Sequence, residues 1–343
     1  MLKIYRECIF VKLTTVEQVQ KIVGKLPAPR DLKVIDHIDE QAKRWLSYTR
    51  VAFIGFGKTG HIRLSAAGGE EGFISTSDPQ NLLVPLTAFE TESSVEIDSS
   101  FGALFIVSGM DETLRVNGKV SDISDGLLTL KVEECYLHCA KALRRSSFWE
   151  PQSLEQSPPE ISRFVKQSKF LALASINSSG QVDVSPKGDP ERFLIQEEDG
   201  FIYLADRPGN RRIDSFRNII EQPEVSIIAL VPGCSDILEL QGTAELCTDE
   251  HLLQRFAVQG KEPKVVTKIT PTSMRIKPSI ALAKSAPWPA KKAPKDLTPS
   301  EIFKTHIKQS KENSLQAKIA RAVVSLPGAM EKGLASDYKK NMY

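Results

Sequence analysis

The chain lacks most of the features that place a protein quickly. Its five cysteines (Cys8, Cys135, Cys139, Cys234, Cys247) are few, odd in number and without Cys-x-x-Cys spacing. That excludes a disulfide framework and a zinc cluster, and it fits reduced thiols in a cytoplasm. Charge of one sign is also missing: 45 Lys+Arg stand against 43 Asp+Glu, so no overall field draws the chain to nucleic acid or membrane, and function is expected in a local site. Nowhere do roughly 18 apolar residues run uninterrupted, the length a spanning helix needs. The first eleven residues, broken by Arg6 and Glu7, hold no apolar core of a cleavable signal. A soluble, cytoplasmic protein is expected, and 343 residues suggest about two domains.

One nucleotide motif is present only in outline. The stretch G-F-G-K-T-G (55–60) satisfies G-x-G-x-x-G and ends like a P-loop. A P-loop needs glycine where Ala52 stands, and a Rossmann motif needs a helix where H-I-R-L-S alternates like a strand. A hairpin is expected there.

What the chain does have is a repeat. Residues 101–122 align without gaps on 225–246, each reading as an apolar strand, a glycine turn (Gly109, Gly233) and a returning strand that reaches a second glycine (Gly118, Gly242). Upstream, 51–65 lies on 170–185 with one extra turn residue in the second copy; downstream, 130–149 lies on 269–288 and pairs Trp149 with Trp288. Many short strands with glycine turns predict a mostly β fold, a β-barrel with peripheral helices in each half. Two such units in tandem are expected to pack as an intrachain pseudo-dimer. The expected division is 1–150, 151–290 and a basic tail 291–343, with the proline-rich stretch 151–160 as linker. The tail carries 11 Lys+Arg against 5 Asp+Glu, and helical stretches around 302–307 and 315–324 are expected to wrap it on the barrel. Two more helices are predicted. One spans 31–46, with Leu32, Ile35, Ile38, Ala42 and Trp45 on one face; the other runs from a Thr/Asp cap at 248 to Gly260.

The second half contains D-V-S-P-K-G-D-P (183–190) and D-R-P-G-N-R-R-I-D-S-F-R-N (206–218). The first reads as a strand end breaking into a turn with Ser185 and Lys187 exposed, the second as a turn opening a helix with Asn210 near its start. A helix N-terminus offers unpaired N–H groups, and Lys187, Arg211 and Arg212 add formal charge, which is the chemistry a phosphate monoester wants. The repeat sharpens this reading. Opposite Lys187 the first half has Ala67, and opposite Arg207, Arg211 and Arg212 it has Thr87, Thr91 and Glu92. A charge needed only for solubility would not vanish from every such position in one copy.

The segments S-P-K-G-D-P, D-R-P-G-N-R-R-I-D-S-F-R-N-I, D-E-T-L-R-V-N-G-K and Y-L-H-C-A-K-A-L-R-R-S-S-F-W together resemble consecutive signatures of a bacterial branch of the pyridoxamine 5′-phosphate oxidase-like family, over most of residues 31–290. The resemblance implies a six-stranded split barrel that dimerises, with FMN in the interface held by both subunits. Here the phosphate-side motifs are whole only in the second half, and 138–149 is whole only in the first. In the second copy His138 becomes Lys277, Lys141 becomes Ile280 and Arg144 becomes Ala283. The resemblance thus implies one surviving FMN site, with Ser185, Lys187, Gly188, Arg207, Asn210, Arg211 and Arg212 from the second half and His138, Lys141, Arg144 and Trp149 from the first. Its other half-sites would form an empty one. An FMN-dependent oxidoreductase follows, acting on a small-molecule substrate or an electron donor such as a nicotinamide cofactor, as a monomeric pseudo-dimer or a higher homo-oligomer. Flavin carries the redox chemistry, so no catalytic side chain is assigned and no metal is expected. The alternative is a flavin or haem carrier without turnover. The ending D-Y-K-K-N-M-Y does not resemble the substrate-phosphate motif of a true pyridoxamine 5′-phosphate oxidase, and that reaction is not assigned.

Several of these residues have simpler readings. Ser185 and Lys187 also suit a plain turn. Arg217 equally suits a helix-face ion pair, and His138 a buried, hydrogen-bonded histidine. Arg144 and Arg145, as strand neighbours, point to opposite faces, so one of them is expected in solvent. Trp149 and Trp288, at equivalent repeat positions, favour packing.

Overall fold

The structure, a computed structural model, describes residues 11–25, 31–58, 60–90, 95–150, 157–209, 211–326, 328–340 and 342–343. The chain enters through a short strand β1 (Lys12–Leu13) and helix α1 (Val16–Val23), then α2 (Glu40–Tyr48). The alternating stretches of the first half form β2 (Thr49–Lys58), β3 (His61–Gly68), β4 (Ser75–Asp78), β5 (Asn81–Pro85), β6 (Ser100–Val107), β7 (Thr113–Ser124) and β8 (Leu127–His138), followed by helix α3 (Lys141–Arg145). Their antiparallel sheet has the order β3-β2-β6-β7-β8-β5-β4.

The second half opens with α4 (Ile161–Gln167) and supplies β9 (Phe170–Ile176), β10 (Val182–Gly188), β11 (Ile195–Glu198), β12 (Phe201–Ala205), α5 (Asp214–Glu221), β13 (Glu224–Leu230), β14 (Asp236–Cys247), α6 (Glu250–Arg255), β15 (Val266–Pro278) and α7 (Ile280–Ser285). Its sheet has the order β10-β9-β13-β14-β15-β12-β11, with β1 added on β14. Strand for strand the two orders are the same. The fold is therefore two split barrels in tandem, and 55–60 is the β2–β3 hairpin. Even the irregularities repeat: the register shifts at Asn117/Gly118 and at Gln241/Gly242. A Cβ at Gly118 would stand 2.0 Å from the Lys131 carbonyl oxygen, and one at Gly242 2.3 Å from that of Thr270, so both bulges require glycine.

Alternation sends successive residues of the central strands to different cores. In β2, Ala52, Ile54 and Phe56 face the first barrel's interior with Trp45. Val51 and Phe53 face outward and join Leu104, Ile106, Phe170, Ala172, Val184 and Ile228 in an apolar layer between the barrels. Leu171, Leu173, Ile227 and Leu238 belong to the second barrel's own core. This is why these strands read as nearly unbroken apolar runs. One polar knot crosses the layer: Arg115 on β7, 1% exposed, donates to Asp183 Oδ1 on β10 at 2.6 Å, to Ser185 Oγ at 3.2 Å and to the Tyr136 hydroxyl at 3.0 Å.

The helices depart from expectation in several places. Only the second part of 31–46 is helical, capped by Asp39 on Ala42 N; Ile35 instead forms a β-bridge with Cys135, although Leu32, Ile35 and Ile38 are buried as the spacing required. Helix α6 stops at Arg255, and Gly260 lies in a tight turn beyond it, where Val258 bridges Lys261. Residues 141–145, expected as strand, are helix. The tail forms α8 (Pro299–Gln309) and α9 (Leu315–Val324) as expected, and also α10 (Ala329–Lys340), which was not foreseen. Ile302 and Phe303 of α8 join the first barrel's core. The linker 151–160 lies mostly outside the described residues. Among the described residues, no helix is long and apolar enough to cross a membrane.

Candidate functional site

The end of β10 is an edge strand, where Pro186 withholds an N–H at little cost. It does not break into an exposed turn, as expected; it runs on to Gly188 and meets α3 of the first barrel. A Cβ at Gly188 would stand 1.9 Å from the Ala142 carbonyl oxygen, and one at its repeat partner Gly68 would stand 2.0 Å from that of Ala281. Gly188 therefore serves the contact between barrels: only glycine lets the strand lie this close to the other barrel's helix.

Beside this contact lies a cavity of about 450 Å³, within the range of cofactor sites. The first barrel lines it with His138, Cys139, Lys141, Ala142 and Arg145. The second lines it with Ser185, Lys187, Gly188, Arg207, Arg211, Arg212 and the start of α5, and α10 adds Asp337. Its walls carry Lys141, Arg145, Lys187, Arg207, Arg211, Arg212 and Lys264 against Asp206 and Asp337.

These cations differ in how far the chain already satisfies them. Arg207 is committed: buried, it pairs with Asp189 and donates to the Phe256 carbonyl at 2.7 Å. Lys187, largely buried rather than exposed, lies 3.2 Å from Asp206 and 5.3 Å from the Phe216 ring centre. Arg212 pairs with Asp214 at 2.8 Å and lies over the Tyr136 ring of the first barrel at 4.6 Å. Arg211 sits at φ +60° on the exposed rim, with its guanidinium beside Gly24 and no ion pair to a described residue. Ser185 donates to Asp183 Oδ2 at 2.8 Å and accepts from Arg115. Asn210 lies outside the described residues. The helix it was expected to open starts four residues later, at Asp214, whose carboxylate occupies the first turn.

From the first barrel, Lys141 is 2% exposed, and its ammonium lies 2.8 Å from Asp337. His138 is half-buried, and its imidazole is held neutral by burial and by the nearby charges of Arg115 and Lys33. Two expected residues lie elsewhere. Because 141–145 is helix, Arg144 and Arg145 diverge by about 100°: Arg145 enters the cavity wall, while Arg144, 40% exposed, turns away to Asp111 at 2.7 Å. Trp149 Nε1 donates to the Met110 carbonyl at 2.6 Å, and its ring meets Phe148 edge-on at 4.8 Å. Trp288 donates to the Phe148 carbonyl. Both tryptophans pack on Phe148, as their equivalent repeat positions suggested. Sequence reasoning missed Arg145, Lys264, Asp337 and Arg115. Helical spacing of 141, 142 and 145 would have found the first; nothing in the pattern of the tail marked Asp337.

The repeat-related position is closed from within. Glu90, which aligns with Asn210, is 3% exposed. Its carboxylate accepts from the Ser279 hydroxyl and from the N–H groups of Ile280 at 3.3 Å and Ala281 at 3.2 Å at the start of α7, and Lys277 lies 3.5 Å away. The donors an anion would use there are taken by the chain's own carboxylate.

A paired split barrel with one cationic cavity between its halves is the class that fold and site define. Residues 157–278, within the second barrel, match the family model described as Pyridoxamine 5'-phosphate oxidase, and the first barrel repeats the strand order of the second. No curated protein matches the chain. Among solved structures it is similar to HupZ of Group A Streptococcus (19% identity, 36% of this chain and 98% of that one, TM-score 0.28). It is also similar to general stress protein 26 of Bacillus anthracis str. Sterne (19% identity, 34% and 89%, TM-score 0.25). At these values no ligand or reaction carries over.

Proposed function

We propose that the cavity binds FMN and that the protein is an FMN-dependent oxidoreductase with one flavin per chain. The observation that carries this reading is that the two motifs preserved in opposite halves, 138–145 and 185–212, line one cavity. The residues fit the ligand. Arg211, Lys187 and Arg212 gather at the α5 end and offer a phosphate monoester charge-assisted donors. Lys141 and Arg145 reach the same space from the first barrel, and neutral His138 presents a ring nitrogen without adding charge. Flavin, when bound, supplies the redox chemistry by accepting hydride or electrons from a small-molecule donor. The chain's part is to bind it, orient it between the barrels and exclude water.

Comparing FMN with riboflavin tests the assignment, because only FMN carries the phosphate. Lys187→Ala and Arg211→Ala should each weaken FMN by roughly 1.5–3 kcal/mol, about ten- to 150-fold, and leave riboflavin nearly unchanged. Equal weakening of both ligands would mean that this end of the cavity does not read phosphate.

A further inference from the structure

The tail reaches back to the cavity in a way that no barrel repeat provides. Helix α10 is anchored by Tyr338, whose hydroxyl donates to buried Glu112 at 3.0 Å and whose ring lies under the Arg144 guanidinium at 4.5 Å. From that anchor the chain touches the cationic wall at three points. Asp337 holds the Lys141 ammonium at 2.8 Å. The Met342 carbonyl accepts from Arg145 Nε at 2.6 Å. The Tyr343 ring lies 5.6 Å from the Arg145 guanidinium and 5.8 Å from that of Arg207, and the Tyr343 carbonyl accepts from Lys261 at 3.2 Å.

We propose that Asp337, Met342 and Tyr343 form a latch that completes the cofactor site: Asp337 positions Lys141, Tyr343 and Met342 position Arg145, and together they slow the release of bound FMN. This rests on the FMN reading of the same cavity. Two features favour a latch over simple packing of a tail. The Met342 and Tyr343 contacts are polar or cation–π contacts to Arg145, Arg207 and Lys261, each worth little alone and able to reform after opening. And the cavity keeps about 450 Å³ with the segment in place, so closure does not fill the site. Lys141 and Arg145 are the two cations the first barrel contributes to the cavity wall, so the latch acts chiefly on the half of the site that lies across the interface.

The test uses the full chain loaded with FMN. Free flavin fluoresces and bound flavin is quenched, so release is read as fluorescence recovery after dilution. Tyr343→Ala and Asp337→Asn should each release FMN about tenfold faster, equivalent to about 1.4 kcal/mol. Tyr343→Phe, which keeps the ring face, should release at the wild-type rate, and the thermal midpoint of the ligand-free protein should not move in either Tyr343 variant. Unchanged release in both Tyr343→Ala and Asp337→Asn would overturn the latch, and so would Tyr343→Phe releasing as fast as Tyr343→Ala. Absence of quenching in the wild type sinks the FMN reading and the latch with it; quenching with equal release rates sinks the latch alone.

Discussion

Arg115 illustrates the condition on which a charge lies between two β-sheets: its guanidinium needs acceptors from both barrels. Asp183, Ser185 and the Tyr136 hydroxyl supply three. Removing one partner leaves the other charge buried and unpaired, so Arg115→Met should destabilise the chain by about 3–5 kcal/mol in urea unfolding, while the double variant Arg115→Met/Asp183→Leu should recover most of the loss. A double variant as unstable as the single would show that the pair is not the source of the cost. His138 makes a second, proton-linked contribution. Its imidazole is pushed well below the ordinary value, mainly by burial, so the unfolded chain takes up the proton first as pH falls. The stability it contributes is fully present above about pH 6.5 and is lost below it, by at most about 1.4 kcal/mol per pH unit. Urea unfolding at pH 7 and 5.5 should therefore show a larger acid loss in the wild type than in His138→Gln. Equal losses would contradict a neutral His138 in the folded state.

At the scale of elements, the strands were legible because two independent signals agreed. Turn glycines and alternation recur at the same offsets in both halves, and the folded sheets follow them down to the bulges at Gly118 and Gly242. The helices were less so. Ile35 has helical spacing to Leu32 and Ile38, yet its backbone is better satisfied by the bridge to Cys135, a partner a hundred residues away that no local pattern reveals. The sequence pattern extends the preceding strand through 141–145 and so points to Arg144, whereas the helix there brings Arg145 to the cavity. The cross-barrel gathering of 138, 141, 185, 187, 211 and 212 follows from the family resemblance taken together with complementary loss between repeats; the part played by α10 does not, because its contacts are tertiary and leave no periodic trace. Helix α7 meets Glu90 at the repeat-related position. Glu90→Ala would leave the Ser279, Ile280 and Ala281 donors and Lys277 facing a vacancy, so its thermal midpoint should fall and recover in part with tens of millimolar phosphate, more than the wild type gains. An equal phosphate response in both proteins would show that Glu90 does not occupy an anion position.

Across the whole molecule, covalent linkage has removed the need for symmetry. In two identical barrels both interface sites would be alike. In one chain the halves can differ: the first supplies Lys141 and Arg145 and holds Glu90 at the position that aligns with Asn210, and the second supplies Lys187, Arg211 and Arg212. The most direct test of this account is a titration of the full chain with FMN, giving both stoichiometry and affinity, for the wild type and for Lys141→Ala, Arg145→Ala, Ile280→Ala and Lys284→Ala, with folding checked by circular dichroism. One FMN per chain is predicted, bound at least about tenfold more weakly by Lys141→Ala and Arg145→Ala and unchanged by Ile280→Ala and Lys284→Ala, their repeat partners. Two equivalents of similar affinity, or a wild-type affinity in both first-barrel variants, would contradict a single site shared between the barrels.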